Sequence, residues 1–196
     1  MNTNSILGTF SVLIALIGYV PYYRDVLNGS TKPHTFSWLV WCLTSAVSFA
    51  GQVSDNAGPG AWVMGTITLV SFGVFILSLK KGEKNIARVD YVCLGISLIA
   101  IASWILTNTP LYAIILVTIA DVFGFIPTIR KSYQKPYEES LMVYLTSIFQ
   151  FVISLFALEN VSVITALNPF ILAFVNVGFV FILITRRRVI LKPKGY

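Results

Sequence analysis

Long uncharged stretches alternate with short polar, mostly basic segments along the whole chain. A membrane helix needs roughly 20 mostly apolar residues, and seven stretches meet that need. They cover residues 4–23, 35–53, 61–79, 89–107, 111–129, 141–158 and 162–185. The uncharged run between Asp90 and Asp121 is too long for one crossing. Asn108-Thr109-Pro110 divides it, because proline disfavours helix in the residue before it. The connections are short, so the pattern predicts an all-α integral membrane protein of seven transmembrane helices.

Composition sharpens this picture. Of 196 residues, 56% are hydrophobic and 11% charged, and mean hydropathy is +0.80. Soluble domains carry about a quarter charged residues, so a soluble enzyme is excluded. The N-terminus lacks the basic region and small-residue cleavage site of a signal peptide, and is read as the first span.

Charge supplies an independent test of the helix count. With seven crossings, all 14 Lys and Arg fall on one side, at Arg24, Lys32, Lys80–Lys84, Arg88, Arg130–Lys135, Arg186–Arg188, Lys192 and Lys194. The other side receives only Asp55 and Glu159. Lys and Arg collect in cytoplasmic loops, which predicts an outside N-terminus and a cytoplasmic C-terminus. The net charge of +6 is thus a record of topology, not a nucleic-acid footprint. The Arg186–Arg188 run is expected at the headgroup level. Cys42 and Cys93 fall inside spans, without metal-ligand spacing, and are read as packing residues.

The chain also repeats itself. Gly18-Tyr19-Val20-Pro21-Tyr22-Tyr23-Arg24 matches Gly124-Phe125-Ile126-Pro127-Thr128-Ile129-Arg130. Lys32-Pro33 with Ser37 follows the first copy, and Lys135-Pro136 with Ser140 follows the second. Phe75-Ile76-Leu77 before Lys80-Lys81 is echoed by Phe181-Ile182-Leu183 before Arg186-Arg187. Spans one to three therefore repeat as spans five to seven. The expected layout is a first repeat over 1–87, a linker helix over 88–109, a second repeat over 110–190 and a tail over 191–196. Three spans plus one linker put both repeats in the same orientation.

This three-one-three layout, with a helix-terminal proline before a basic loop at Pro21 and Pro127, resembles the PQ-loop superfamily, which includes the SWEET sugar transporters. The position after each proline holds Tyr22 and Thr128 in place of the motif's glutamine. The resemblance implies a small-solute transporter with a central cavity, in which a mid-membrane asparagine of each repeat's last helix contacts substrate. Asn176 fits that role, while Thr68 or Ser71 would have to serve in the first repeat.

Polar side chains inside a membrane should face protein or a wet cavity. Ser37, Trp41, Thr44, Ser48 and Gln52 form one stripe of the second span. Ser140, Tyr144, Ser147 and Ser154 form one of the sixth, with Gln150 at its edge. Shifted by the repeat, Trp41 falls on Tyr144 and Thr44 on Ser147. These faces are candidate walls of a substrate cavity, although for the serines helix packing is the simpler reading. Trp38, Trp62 and Trp104 are read as interface anchors.

Asp121 is the one carboxylate well inside a span. Burial disfavours its ionised form, so it is either a proton-coupling group or a structural partner for a hydroxyl or for Arg130. Asp90 suits the N-terminus of the fourth span. Asp25 beside Arg24 is a candidate gate pair, and His34, the single histidine, is expected to be solvated in a loop. Pro21 and Pro127 either end their helices or act as hinges for alternating access.

The function expected is transport of a sugar or similar small polar solute, as a uniporter or a proton-coupled carrier. Two alternatives share the scaffold. Trp38 and Trp41 would grip a flat ring, as in the similar nicotinamide riboside transporters, which makes the solute a vitamin or nucleoside. KDEL-receptor-like sorting proteins also resemble this layout, but need basic groups in the cavity. No nucleophile–histidine or zinc motif points to an enzyme. The partners expected are a small-molecule substrate, the lipid bilayer and, for a coupled carrier, protons. No cofactor, metal or nucleic acid is implied, and homo-oligomerisation is left open.

Overall fold

The structure, a computed structural model, describes residues 2–107 and 109–191, with the side chains of residues 100, 103–105 and 107 outside the description. Asn108 of the inter-span break, the Trp104 anchor side chain and Lys192 and Lys194 of the tail therefore lie outside the described residues. The chain forms α1 (Thr3–Asn28), α2 (Thr35–Ser54), α3 (Trp62–Lys81), α4 (Arg88–Thr107), α5 (Pro110–Gln134), α6 (Leu141–Phe156) and α7 (Val163–Val189). Short 3-10 turns at Gly58–Ala61 and Pro136–Glu138 precede α3 and α6. Among the described residues there is no strand. Five helical segments, Thr3–Asn28, Thr35–Ser54, Gly58–Lys81, Pro110–Gln134 and Val163–Val189, are long and apolar enough to cross a membrane. Leu141–Phe156 is a shorter apolar helix. By length and composition this is an all-α membrane protein.

Helix limits follow local chemistry. The Asn2 side chain accepts from the amide of Asn4 at the start of α1, and Gly29, at φ 80°, ends it in the left-handed region. Ser162 and Thr165 form a capping box ahead of α7, so Ser162 stands outside the helix rather than opening the span. Three helices overrun their expected ends by four or five residues: α1 continues to Asn28, α5 to Gln134 and α7 to Val189. Charge ends an apolar stretch, but it does not end a helix whose last turns reach polar surroundings. Pro21 and Pro127 consequently lie inside continuous helices, each seven residues before the end, which overturns the reading that they terminate them.

Packing brings distant helices together. α3 packs against both α1 and α2, and α7 against both α5 and α6. α1 crosses α6 and α2 crosses α5, while α4 packs on α5 and α2. Glycines permit two of these crossings. A Cβ added to Gly18 of α1 would lie 3.2 Å from Val143 Cα of α6. One added to Gly124 of α5 would lie 3.0 Å from Val40 Cγ1 of α2. A side chain at Gly18 would force Thr146 aside, and one at Gly124 would press on Val40 and Trp41.

The two ends of the bundle differ. At one end, Glu159 N–H donates to the Ala57 carbonyl (3.0 Å), Asn160 Nδ2 to the Asp55 carbonyl (2.8 Å) and Asn4 Nδ2 to the Leu158 carbonyl (3.2 Å). The other end holds ion pairs. Arg130 meets Asp90 at 2.5 Å, Lys135 meets Glu83 at 3.0 Å, Lys32 meets Glu138 at 2.8 Å, and buried Lys131 pairs with buried Glu139.

Candidate functional site

Between the two ends lies a cavity walled by α1, α2, α3, α5, α6 and α7. Six rings surround it: Tyr19, Trp38, Trp41, Phe125, Tyr144 and Phe151. Their contacts run as a chain. Trp38 and Trp41 meet edge to face at 5.2 Å between centroids, Trp41 and Phe125 at 4.6 Å, and Phe125 and Tyr144 at 6.5 Å. Such tilted and T-shaped pairs suit the ring quadrupoles. The cavity leaves about 40 Å³ for the centres of water-sized molecules. That admits a few waters, whereas sites for drug-sized ligands are typically about 300–1,000 Å³. A ring-sized solute enters only after these side chains move apart.

The polar groups of the wall are Ser45, Ser71, Asp121, Ser147 and Asn176. Several are already engaged. Ser45 Oγ donates to the Cys42 carbonyl at 3.2 Å and Ser147 Oγ to the Val143 carbonyl at 2.7 Å. Asn176 Nδ2 donates to the Leu172 carbonyl at 2.7 Å. Ser71 Oγ is buried and has no hydrogen-bond partner, which leaves it available to a ligand.

Asp121 anchors a buried network. Asn168 Nδ2 donates to Asp121 Oδ2 at 2.6 Å, and Thr44 Oγ1 hydrogen-bonds Asp121 Oδ1. Trp41 Nε1 donates to the Asp121 carbonyl at 3.4 Å, and Ser48 Oγ donates to Asn168 Oδ1 at 3.2 Å. Thr44 Oγ1 also lies 2.9 Å from the Val40 carbonyl. A hydroxyl has one proton to give. It goes to the carboxylate when Asp121 is ionised, and to Val40 when Asp121 is protonated and donates instead.

Of the residues singled out in the sequence, Trp41, Ser71, Asp121, Tyr144, Ser147 and Asn176 come together around this cavity. Thr44 stands behind Asp121. Thr68 turns away, with Oγ1 3.1 Å from Ser45 Oγ and 2.9 Å from the Met64 carbonyl, so Ser71 is the one of that pair in the wall. Gln150 is fully buried, with Nε2 3.5 Å from Ser147 Oγ, and does not line the cavity. Pro127 is buried and Pro21 exposed, and neither touches the cavity.

Three further expectations are corrected. Trp38 is not an interface anchor: it is 2% exposed and lines the cavity. Trp62, by contrast, is 44% exposed. His34 is not solvated; it is fully buried, with Nε2 3.3 Å from Asp90 Oδ2. Burial outweighs that carboxylate and lowers the His34 pKa below its ordinary 6.5. Arg130 serves Asp90, not Asp121, while Ala87 N–H also donates to Asp90 at 2.7 Å.

Sequence reasoning missed Tyr19 and Phe125 as wall residues, although the signal was present. They are the aromatic positions of the two matching Gly-aromatic-aliphatic-Pro segments. It also missed a buried carboxylate that holds the wall residue Tyr144. Tyr144 and Tyr22 donate to Glu139 Oε2 at 3.3 and 3.4 Å, while Lys131 pairs with Oε1. At the basic end, burial alone would raise the Glu83 carboxyl. The amides of Asn85 and Lys84 and the Lys135 ammonium outweigh it and hold the pKa at about 2. Among the described residues no group of three His, Cys, Asp or Glu could hold a metal ion. No family model, curated protein or solved structure matches the chain.

Proposed function

We propose that this chain is a small-solute membrane transporter of PQ-loop, SWEET-like design, working by alternating access. The observation that carries the reading is a pair of helix crossings related by the repeat, α1 on α6 and α5 on α2. Gly18 of α1 lies against Thr146 and Val143 of α6, and Gly124 of α5 lies against Val40 and Trp41 of α2. Gly18 and Gly124 are equivalent in the repeated motif, and the alignment that sets Trp41 on Tyr144 sets Val40 on Val143. Two parallel triplets, α1–α3 and α5–α7 joined by α4, would face each other across the cavity and rock about it. Pro21 and Pro127 remove the hydrogen bonds to the carbonyls of Ile17 and Phe123. They are the proposed hinges, with the basic end as the cytoplasmic gate. Asn176, Ser71, Trp41 and Tyr144 form the proposed substrate contacts, and Asp121 the proton-coupling group.

Uptake into proteoliposomes tests this directly, with a panel of labelled sugars, vitamins, nucleosides, amino acids and small organic cations and with and without a proton gradient. Saturable uptake of at least one solute, reduced by Trp41→Ala and by Asn176→Ala, is the expected result. Absence of flux for the whole panel would sink the proposal, as would labelling that finds both chain ends on the same side of the membrane.

A further inference from the structure

We infer that the solute is a small organic cation, a substituted ammonium or a ring carrying a fixed positive charge, and that it competes with a proton for Asp121. This rests on the transporter reading and narrows its substrate. Two observations carry it. The first is the charge inventory. Asp121 is the one charged residue of the cavity wall among the described residues. Every other buried carboxylate described has a cation: Asp90 has Arg130, Glu83 has Lys135 and Glu139 has Lys131. Arg130 lies nine residues on from Asp121, roughly 14 Å along a helix, and is committed to Asp90. An ionised carboxylate inside a membrane needs a counter-charge, and here a proton or the solute must supply it.

The second observation is the ring cage. Tyr19, Trp38, Trp41, Phe125, Tyr144 and Phe151 line one space. Aromatic faces attract a cation, most strongly where water is excluded, and weakly hydrated ammonium groups suit such cages. An anion finds no Lys, Arg or His in the wall, and a neutral solute leaves the carboxylate uncompensated unless it is protonated. The unpartnered Ser71 hydroxyl and the Asn176 amide supply a polar end for a hydroxyl or carbonyl on the same solute.

Competition follows from one negative charge shared by two cations. Other titratable groups around Asp121 are accounted for. α2 carries Cys42, and α4 carries Arg88, Asp90, Tyr91 and Cys93 toward the basic end. α7 carries Arg186, Arg187 and Arg188 at that end, and α5 itself carries Arg130, Lys131 and Tyr133 there and Tyr112 at the other. Tyr19 and Tyr144 share the cavity as neutral phenols. When the solute binds, the Asp121 proton is released; when a proton returns, the carboxyl is neutral and the solute leaves. Thr44 follows each state by turning its hydroxyl between Asp121 and Val40.

The test uses the full chain in lipid nanodiscs. The probes are tetramethylammonium, choline and N-methylpyridinium, with 3,3-dimethylbutan-1-ol as the uncharged isostere of choline, and glucose. Binding is read by tryptophan fluorescence and by calorimetry in two buffers of different ionisation heat. The expected result is that at least one cation binds, and that choline binds on the order of tenfold or more tighter than its isostere. Binding heats that depend on the buffer would show proton release. Asp121→Asn should erase the preference for charge and the proton release together, and Asp121→Glu should restore both in part. The inference is overturned if none of the three cations binds, if the isostere matches choline, or if Asp121→Asn keeps the preference. Flux of glucose without cation binding would leave the transporter reading standing and remove this one. Cation binding without flux of any solute would do the reverse.

Discussion

The basic end of the bundle and its centre treat charge in opposite ways. At the basic end each buried carboxylate is matched: Glu139 by Lys131, Asp90 by Arg130, Glu83 by Lys135. At the centre, Asp121 has hydrogen bonds from Asn168 and Thr44 and no cation in the cavity wall. Paired charges lock segments together, because removing one partner strands the other. Asp121 is held instead by hydrogen bonds from α2 and α7, with no cation beside it in the wall. The contrast separates side chains that tie segments of the bundle together from side chains that line its central cavity.

The largest expected effect comes from stranding a charge at the basic end. Lys131→Met should cost about 3–5 kcal/mol of stability by leaving Glu139 buried and alone. Adding Glu139→Leu should recover most of that loss. Denaturant unfolding in detergent micelles checks both, and a double variant no more stable than the single would show that the pair is not the lock. Next come the crossings. Gly18→Ala and Gly124→Ala should each cost about 1–3 kcal/mol by overpacking, and similar losses at the two sites would support their equivalence. A loss confined to one would break it.

Acid should loosen the basic end in two stages. His34 has a folded pKa below its ordinary 6.5, so the unfolded chain takes up its proton first. Stability from keeping His34 neutral is complete above 6.5 and declines as pH falls through that value. Glu83, held at about 2 against an ordinary 4.5, contributes fully above 4.5 and loses its contribution as pH falls toward 2. Melting temperatures recorded from pH 8 to pH 3 should fall in both windows, and His34→Gln should remove the upper stage alone. The smallest stability change belongs to the centre. Thr44→Val should cost only about 0.6 kcal/mol, the usual worth of a hydrogen bond between membrane helices. Its visible effect should be a shifted pH profile of solute uptake, and an unshifted profile would remove Thr44 from the proton path.

How much of this could be read from the chain follows from the range of the forces involved. Helices and their buried faces are local. The recurrence of Ser37, Trp41, Thr44, Ser48 and Gln52 identifies the buried side of α2, and all five are buried. Asp121 and Asn176 stood out because polar groups in apolar stretches are costly, and both line the cavity. The ion pairs could not be read that way. His34 and Asp90 are 56 positions apart, and Arg130 is 40 from Asp90, so nothing local announces them. Lys131 and Glu139 were nearer to legible: they flank the Lys135-Pro136 turn, which folds the chain back and brings opposite charges together. Trp38 was misread because a tryptophan near a helix start suits a membrane surface as well as a protein interior.

One detail of the packing bears on how the molecule could be taken apart. α4 leans mainly on α5 and lightly on α2, while Tyr91, Val92, Leu98 and Ile99 point away from the protein. A helix held this way behaves as a tether that stays with one side of the assembly. The chain should therefore tolerate a break at its joint near residue 108, with both fragments finding each other in the bilayer when made separately.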